Sequence, residues 1–264
     1  MKLLRHLTPS GPAYAALQPD GSARLIEGDV FGYFRPTERS VPLGRRLAPV
    51  EPANIVCIGL NYAKHAAEGG KPIPERPLWF VKLPGAVQHP GEPIRLPRRQ
   101  PSAKVDYEAE LAIVLKRPAL NVPRAQATDY ILGYTCANDV SARDWQHPAM
   151  GGGQWNHAKS FDTFCPLGPV LVTPDELPNP NALRIRSILN GTVMQDSNTA
   201  DMIFDVPALI EFLTADKTLP AGTVILTGTP EGVGFARQPP VWLRPGDTIA
   251  IEIEGIGTLS NPVA

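Results

Sequence analysis

The chain has 264 residues, 43% hydrophobic and 19% charged, with a formal net charge of −1. That length suits one large domain or one domain with a small appendage, and the near-balanced charge, with basic residues clustered only in pairs such as Arg98-Arg99 and Lys116-Arg117, argues against a nucleic-acid partner. Residues 1–6 lack the apolar region of a secretory signal and no run approaches the roughly 18 apolar residues of a membrane span, so a cytoplasmic protein is expected.

Residues 1–50 read as a small β-rich region, in which residues 13–17 and 23–26 flank the turn Pro19-Asp20-Gly21. Pro49-Val50-Glu51-Pro52 ends regular structure on both sides and marks the boundary to a second domain, 51–264. Residues 54–59 read as a buried strand, and residues 60–70 as a short helix closed by glycine. Within that helix His65 and Glu68 stand three apart and share a face. A carboxylate beside an imidazole orients the ring and raises its basicity, which suits a general base, although a solvated surface pair has the same spacing.

Residues 105–115 alternate like a strand, with Asp106, Glu108 and Glu110 on one face that turns apolar at Ala112 and Val114. Carboxylates pointing together toward a buried surface are costly unless a cation lies between them. A helix over 123–132, stopped by Gly133, and a strand over 133–137 follow. A helix opening at Asn138 or Asp139 then places Asp139, Arg143 and Gln146 at i, i+4 and i+7, one stripe of one face. Gly151 to Gly153 form a joint, and residues 154–164 deliver Lys159 into an aromatic setting where an unpartnered lysine is rare.

Further on, Asp205 caps a helix over 206–213 whose Leu209, Ile210, Phe212 and Leu213 face the core. A buried strand over 223–227 runs into Gly228-Thr229-Pro230-Glu231-Gly232-Val233-Gly234. This loop lacks the spacing of a nucleotide-phosphate motif, but its glycines would let backbone N–H groups approach a small carboxylate. After the turn at 244–247, Ile249, Ile251 and Ile253 alternate inward against Glu252 and Glu254, a solvated acidic face. The cysteines Cys57, Cys136 and Cys165 lack metal-ligand spacing and read as buried free thiols in a reducing compartment.

Three carboxylates, Glu108, Glu110 and Asp139, without interleaved cysteine or histidine, suit a hard, oxygen-preferring cation, Mg²⁺ or Mn²⁺ above Zn²⁺. No Gly-x-Ser-x-Gly elbow is present, which argues against a serine hydrolase. Several separate motifs, Asp-Tyr-Glu-Ala-Glu-Leu, Asn-Asp-Val-Ser-Ala-Arg-Asp-Trp-Gln, Lys-Ser-Phe-Asp-Thr-Phe-Cys-Pro-Leu-Gly-Pro and Thr-Gly-Thr-Pro-Glu-Gly-Val-Gly, occur in order. In these the chain resembles the fumarylacetoacetate hydrolase superfamily from about Asn54 onward. Asn61-Tyr62-x-x-His65-x-x-Glu68 is similar to that family's lid motif.

The resemblance implies an α+β, β-rich fold, a mixed β-sandwich roll with short helices. It further implies one Mg²⁺ or Mn²⁺ held by Glu108, Glu110 and Asp139, substrate contacts from Arg143, Gln146, Lys159 and Thr229, and a homodimer. The expected activity is hydrolysis of a carbon–carbon bond in a β-diketo acid of the acylpyruvate type. His65, oriented by Glu68, would activate water, and the metal and Lys159 would stabilise the departing enolate. Tautomerisation or decarboxylation of oxaloacetate, or isomerisation of a related 2-oxo or 2-hydroxy-dienoate, draws on the same residues. A non-catalytic metal-binding module is a further alternative.

Overall fold

The computed structural model describes residues 1–264. The chain opens with β1 (Lys2–Thr8), β2 (Gly11–Leu17), β3 (Ala23–Gly28) and β4 (Phe34–Ser40), followed by β5 (Ile55–Gly59), α1 (Ala63–Glu68), β6 (Leu78–Lys82) and β7 (Val87–Gln88). Next come β8 (Val105–Asp106), β9 (Ala109–Leu115), β10 (Ile131–Asn138) and β11 (Ser141–Ala142), then the short helices α2 (Arg143–Gln146), α3 (Pro148–Gly151) and α4 (Trp155–Lys159). The remainder is β12 (Cys165–Val172), β13 (Arg184–Leu189), β14 (Thr192–Asn198), α5 (Val206–Thr214), β15 (Val224–Leu226), β16 (Thr248–Ile253) and β17 (Gly257–Pro262).

One mixed sheet runs β4-β3-β2-β1-β12-β10-β9-β15-β5-β6, with β7 on β12, and a second, four-stranded sheet runs β14-β13-β16-β17. The architecture is the strand-rich α+β class expected. Because β1 pairs with β12, the first four strands continue the main sheet. Strand β9 is buried along its whole length, and its period of two divides its side chains between two apolar clusters. Leu111, Ile113 and Leu115 join the larger cluster, which includes Ile249, Ile251 and Ile253 of the smaller sheet and Leu209, Ile210 and Leu213 of α5. Ala112 and Val114 join the smaller one, with Ile55, Cys57 and Leu226. All three cysteines are buried and free. Asp205 caps α5 as read, its Oδ1 accepting from the Ala208 N–H at 2.9 Å.

Three local expectations are corrected. Residues 105–115 are two strands, since pairing changes partner at Tyr107 and Glu108: β8 pairs with β11, and β9 lies between β10 and β15. The helix expected over 123–132 is a 3₁₀ segment, Arg124–Tyr130, and Gly133 lies inside β10. Eight consecutive buried residues between two partner strands outweigh local helix preference there. Asp139 likewise follows the end of β10, and the helix begins only at Arg143, so Arg143 and Gln146 share one turn of α2 as a bonded i,i+3 pair while Asp139 lies outside the expected helical stripe.

Gly133 is needed where β10 crosses β12, because a Cβ there would lie 2.6 Å from the Val172 carbonyl oxygen and 2.8 Å from Leu171 Cγ. Gly133→Ala is expected to destabilise the protein by about 1–3 kcal/mol through overpacking, read as a lower urea midpoint with unchanged slope.

Candidate active site

The acidic cluster is assembled by the register of the two central strands. Glu110 on β9 stands opposite Ala137 on β10. Beyond the paired ends, the Asp139 N–H donates to the Glu108 carbonyl at 3.0 Å, and the Glu108 N–H donates to Asn138 Oδ1 at 3.0 Å. These bonds bring Glu108, Glu110 and Asp139 together, with one oxygen of each within 4.8 Å of the others, and all three are buried. From the far side β15 leads into Gly228, whose N–H donates to Glu110 Oε2 at 2.7 Å. Gly228 has φ 97°, and a Cβ there would lie 2.7 Å from Asn61 Cβ, so only glycine brings this N–H to the acid.

Cations brace the cluster. Lys159 Nζ, at the end of α4, donates to Glu108 Oε2 at 2.5 Å and Asp139 Oδ2 at 2.8 Å. Arg143 spans Asp106 Oδ2 at 2.9 Å and Glu108 Oε1 at 2.6 Å. Lys82, at the end of β6, donates to Asp139 Oδ1 at 2.5 Å. Four carboxylates, Asp106, Glu108, Glu110 and Asp139, thus meet three cations, and Glu110 is the acid that no cation contacts.

The titration of the group follows from this arrangement. Burial, then the charges of Asp139 and Glu108, push Glu110 well above the usual carboxylate range. Burial also opposes the charge on Glu108, but Arg143 and Lys159 overcome it and hold that acid at about 2. For Asp106 burial wins over Arg143, and its pKa is raised. Burial works against the Lys159 ammonium too, yet Asp139 and Glu108 raise it above its ordinary value. An all-oxygen donor set with one carboxylate left without a cation partner fits a hard divalent cation, which would offset the burial and the repulsion that raise Glu110.

A cavity of about 740 Å³ opens over the cluster. Glu108, Glu110, Arg143, Gln146, Lys159, Thr229 and His65 line it, among apolar walls that include Phe80, Trp155 and Phe235. Glu68 reaches it through His65, whose Nδ1 lies 3.2 Å from Glu68 Oε2. Glu68 also accepts from the Gly232 N–H at 3.0 Å, which ties α1 to the 228–234 loop. Burial opposes the charge of Glu68, but the bonds from His65 and Gly232 keep its pKa below the usual value. Arg143 also donates from Nη1 to Gln146 Oε1 at 3.0 Å, which leaves the Gln146 NH₂ for other partners. Phe235 covers the guanidinium, 4.6 Å from its ring centroid.

Every residue singled out in the sequence as catalytic, substrate-binding or metal-ligating therefore belongs to one cluster. Lys82 and Gln195 were missed. Lys82 ends an apolar run, Leu78-Trp79-Phe80-Val81, and the rule that drew attention to Lys159 applies to it equally. Gln195 lies on β14 of the smaller sheet and carries no local signal.

A buried acidic site of this kind on a strand-rich fold defines a class, proteins with a candidate divalent-metal centre at the mouth of a mixed sheet. The chain belongs to the fumarylacetoacetate hydrolase family: a family model described as fumarylacetoacetate (FAA) hydrolase C-terminal matches residues 54–264, and one described as Rv2993c-like, N-terminal matches residues 1–46. It is 48% identical over 218 residues to oxaloacetate tautomerase fahd2, mitochondrial, of Xenopus laevis, covering 82% of this chain and 67% of that protein. It is 46% identical to protein Rv2993c of Mycobacterium tuberculosis, over 100% of this chain and 98% of that one. Among solved structures, 5-carboxymethyl-2-hydroxymuconate delta-isomerase from Mycobacterium smegmatis superposes with a TM-score of 0.87 at 44% identity, covering 100% of this chain and 99% of that one.

Glu110→Gln removes the uncompensated charge while keeping the bond from Gly228. The variant is expected to melt higher than wild type without metal. Saturating Mg²⁺ or Mn²⁺, at about 100 times Kd, should raise wild-type Tm by about 5–10 °C and the variant by far less, as differential scanning calorimetry would record.

Proposed function

We propose that this protein is a divalent-metal-dependent enzyme that interconverts the keto and enol forms of a small 2-oxo acid, with oxaloacetate as the first candidate. The observation that carries the reading is the buried triad Glu108, Glu110 and Asp139, two of whose acids line a cavity that is also lined by His65, with Glu68 bonded behind the imidazole. The activities in the names of similar proteins, oxaloacetate tautomerase and a hydroxymuconate isomerase, move a proton between carbon and oxygen beside a carbonyl. Glu108, Glu110 and Asp139 would hold Mg²⁺ or Mn²⁺. When bound, the ion supplies Lewis-acid polarisation of the 2-oxo group and neutralises developing charge.

The remaining work falls to the chain. With Nδ1 directed at Glu68, His65 has Nε2 free to take a proton from the carbon next to the carbonyl. The proton is then delivered to the oxygen at C2, so no atom is gained or lost. Gln146 offers its free NH₂ to a substrate oxygen. Arg143 and Lys159 are engaged with the acids and act mainly by fixing them and lowering the negative field that a substrate carboxylate meets.

A second reading, hydrolysis of a carbon–carbon bond in an acylpyruvate, is favoured by the same His65–Glu68 pair, which could equally activate water. Product analysis with Mg²⁺ on oxaloacetate, acetylpyruvate and fumarylpyruvate separates the two. Oxaloacetate tautomerisation, followed by the loss of enol absorbance, is expected to fall at least about 100-fold in Glu110→Gln and in His65→Ala. A wild-type rate surviving in Glu110→Gln would remove the metal from the mechanism. Pyruvate released from acetylpyruvate, with no effect on oxaloacetate, would favour the hydrolase.

A further inference from the structure

Thr229 lines the cavity, and what its hydroxyl can offer a ligand is set by a residue from the other sheet. Gln195, 1% exposed, ties together the strand that carries Glu110 and the loop that carries Thr229. The two ends of a glutamine amide have nearly the same shape, so their orientation is fixed by partners whose roles cannot change. One such partner is the Ala109 N–H, which can only donate and lies 3.0 Å from Gln195 Oε1. The other is the Pro230 carbonyl, which can only accept and lies 2.9 Å from Nε2. The donor end of Gln195 therefore faces Thr229 Oγ1, at 2.8 Å.

A threonine hydroxyl has one proton and two acceptor positions. Against an N–H it cannot donate, and its proton goes to the Ala109 carbonyl at 3.0 Å. One acceptor position is filled by Gln195 and one remains. The Thr229 backbone N–H has no partner within the chain. A ligand oxygen that only accepts can thus meet the backbone N–H, while only a ligand O–H can meet Oγ1.

We propose that Gln195 is a positioning residue that locks Thr229 Oγ1 as an acceptor, so that Thr229 favours the hydroxyl-bearing form of a bound acid over its 2-oxo form. Keto and enol forms differ by one proton on the C2 oxygen, and this contact distinguishes them. The inference rests on the cavity being a 2-oxo acid site, and it names the residues that read the proton there.

The probes are 2-oxoglutarate and the better-bound enantiomer of 2-hydroxyglutarate, titrated calorimetrically in Mg²⁺. Thr229→Val keeps the shape and removes the acceptor. It is expected to weaken 2-hydroxyglutarate about tenfold and 2-oxoglutarate less than about twofold. Thr229→Ser keeps the wild-type ratio, and Gln195→Met, which releases the hydroxyl, brings the two affinities toward each other. Equal losses for both ligands in Thr229→Val, or an unchanged ratio in Gln195→Met, would overturn the proposal. If wild type binds neither acid, the 2-oxo acid reading is what fails. The lock is then judged in the ligand-free protein by NMR: slow exchange of the Thr229 hydroxyl and Gln195 side-chain amide protons supports it, and rapid exchange defeats it.

Discussion

The structure depends on charge balance inside a closed cluster. Removing carboxylates from water is expensive, and the fold accepts that cost four times within one cluster, at Asp106, Glu108, Glu110 and Asp139. It offsets the cost with Lys82, Arg143 and Lys159, each drawn from a different element. The compensation stops one charge short, at Glu110. The acid left without a cation is the one at which the divalent ion proposed above would complete the balance.

The scaffold around this cluster is built so that its members cannot drift. Strands β9, β10 and β15 are buried in the middle of the main sheet, and the acids sit where their ladders end. Backbone N–H groups of the segment that follows β15 are satisfied by the candidate-site side chains: Gly228 by Glu110, Gly232 by Glu68, Gly234 by Asp106. The loop thereby supplies donors that the acids need, and residues 228–234 are held from the central strands on one side and from α1 on the other. The same economy explains Gln195, which saturates both the start of β9 and the loop with one side chain.

The sequence by itself carried much of the site, because its signals are local. Alternation over 105–115 put Asp106, Glu108 and Glu110 on one face, the three-residue spacing paired His65 with Glu68, and Asp205 was legible as a helix cap. Ordered motifs spread from residue 54 onward were enough to point to the family. Where a local pattern had two solutions, packing decided. Residues 131 and 132, expected to end a helix, instead extend the strand read over 133–137 because they continue its pairing with β9, and Asp139 left the expected helix for the end of that strand.

Tertiary structure alone supplied the rest. Lys82 meets Asp139 across 57 residues of chain and Gln195 meets Ala109 across 86, and no periodicity reports contacts of that range. The number of cations around the acids, and hence the charge left over for a metal, was also undecided until the fold closed. So was the direction of the Thr229 hydroxyl, since a hydrogen-bond donor becomes an acceptor or the reverse according to what packs beside it. Residue spacing determines which side chains share a face; only the closed fold determines which partners those side chains find there.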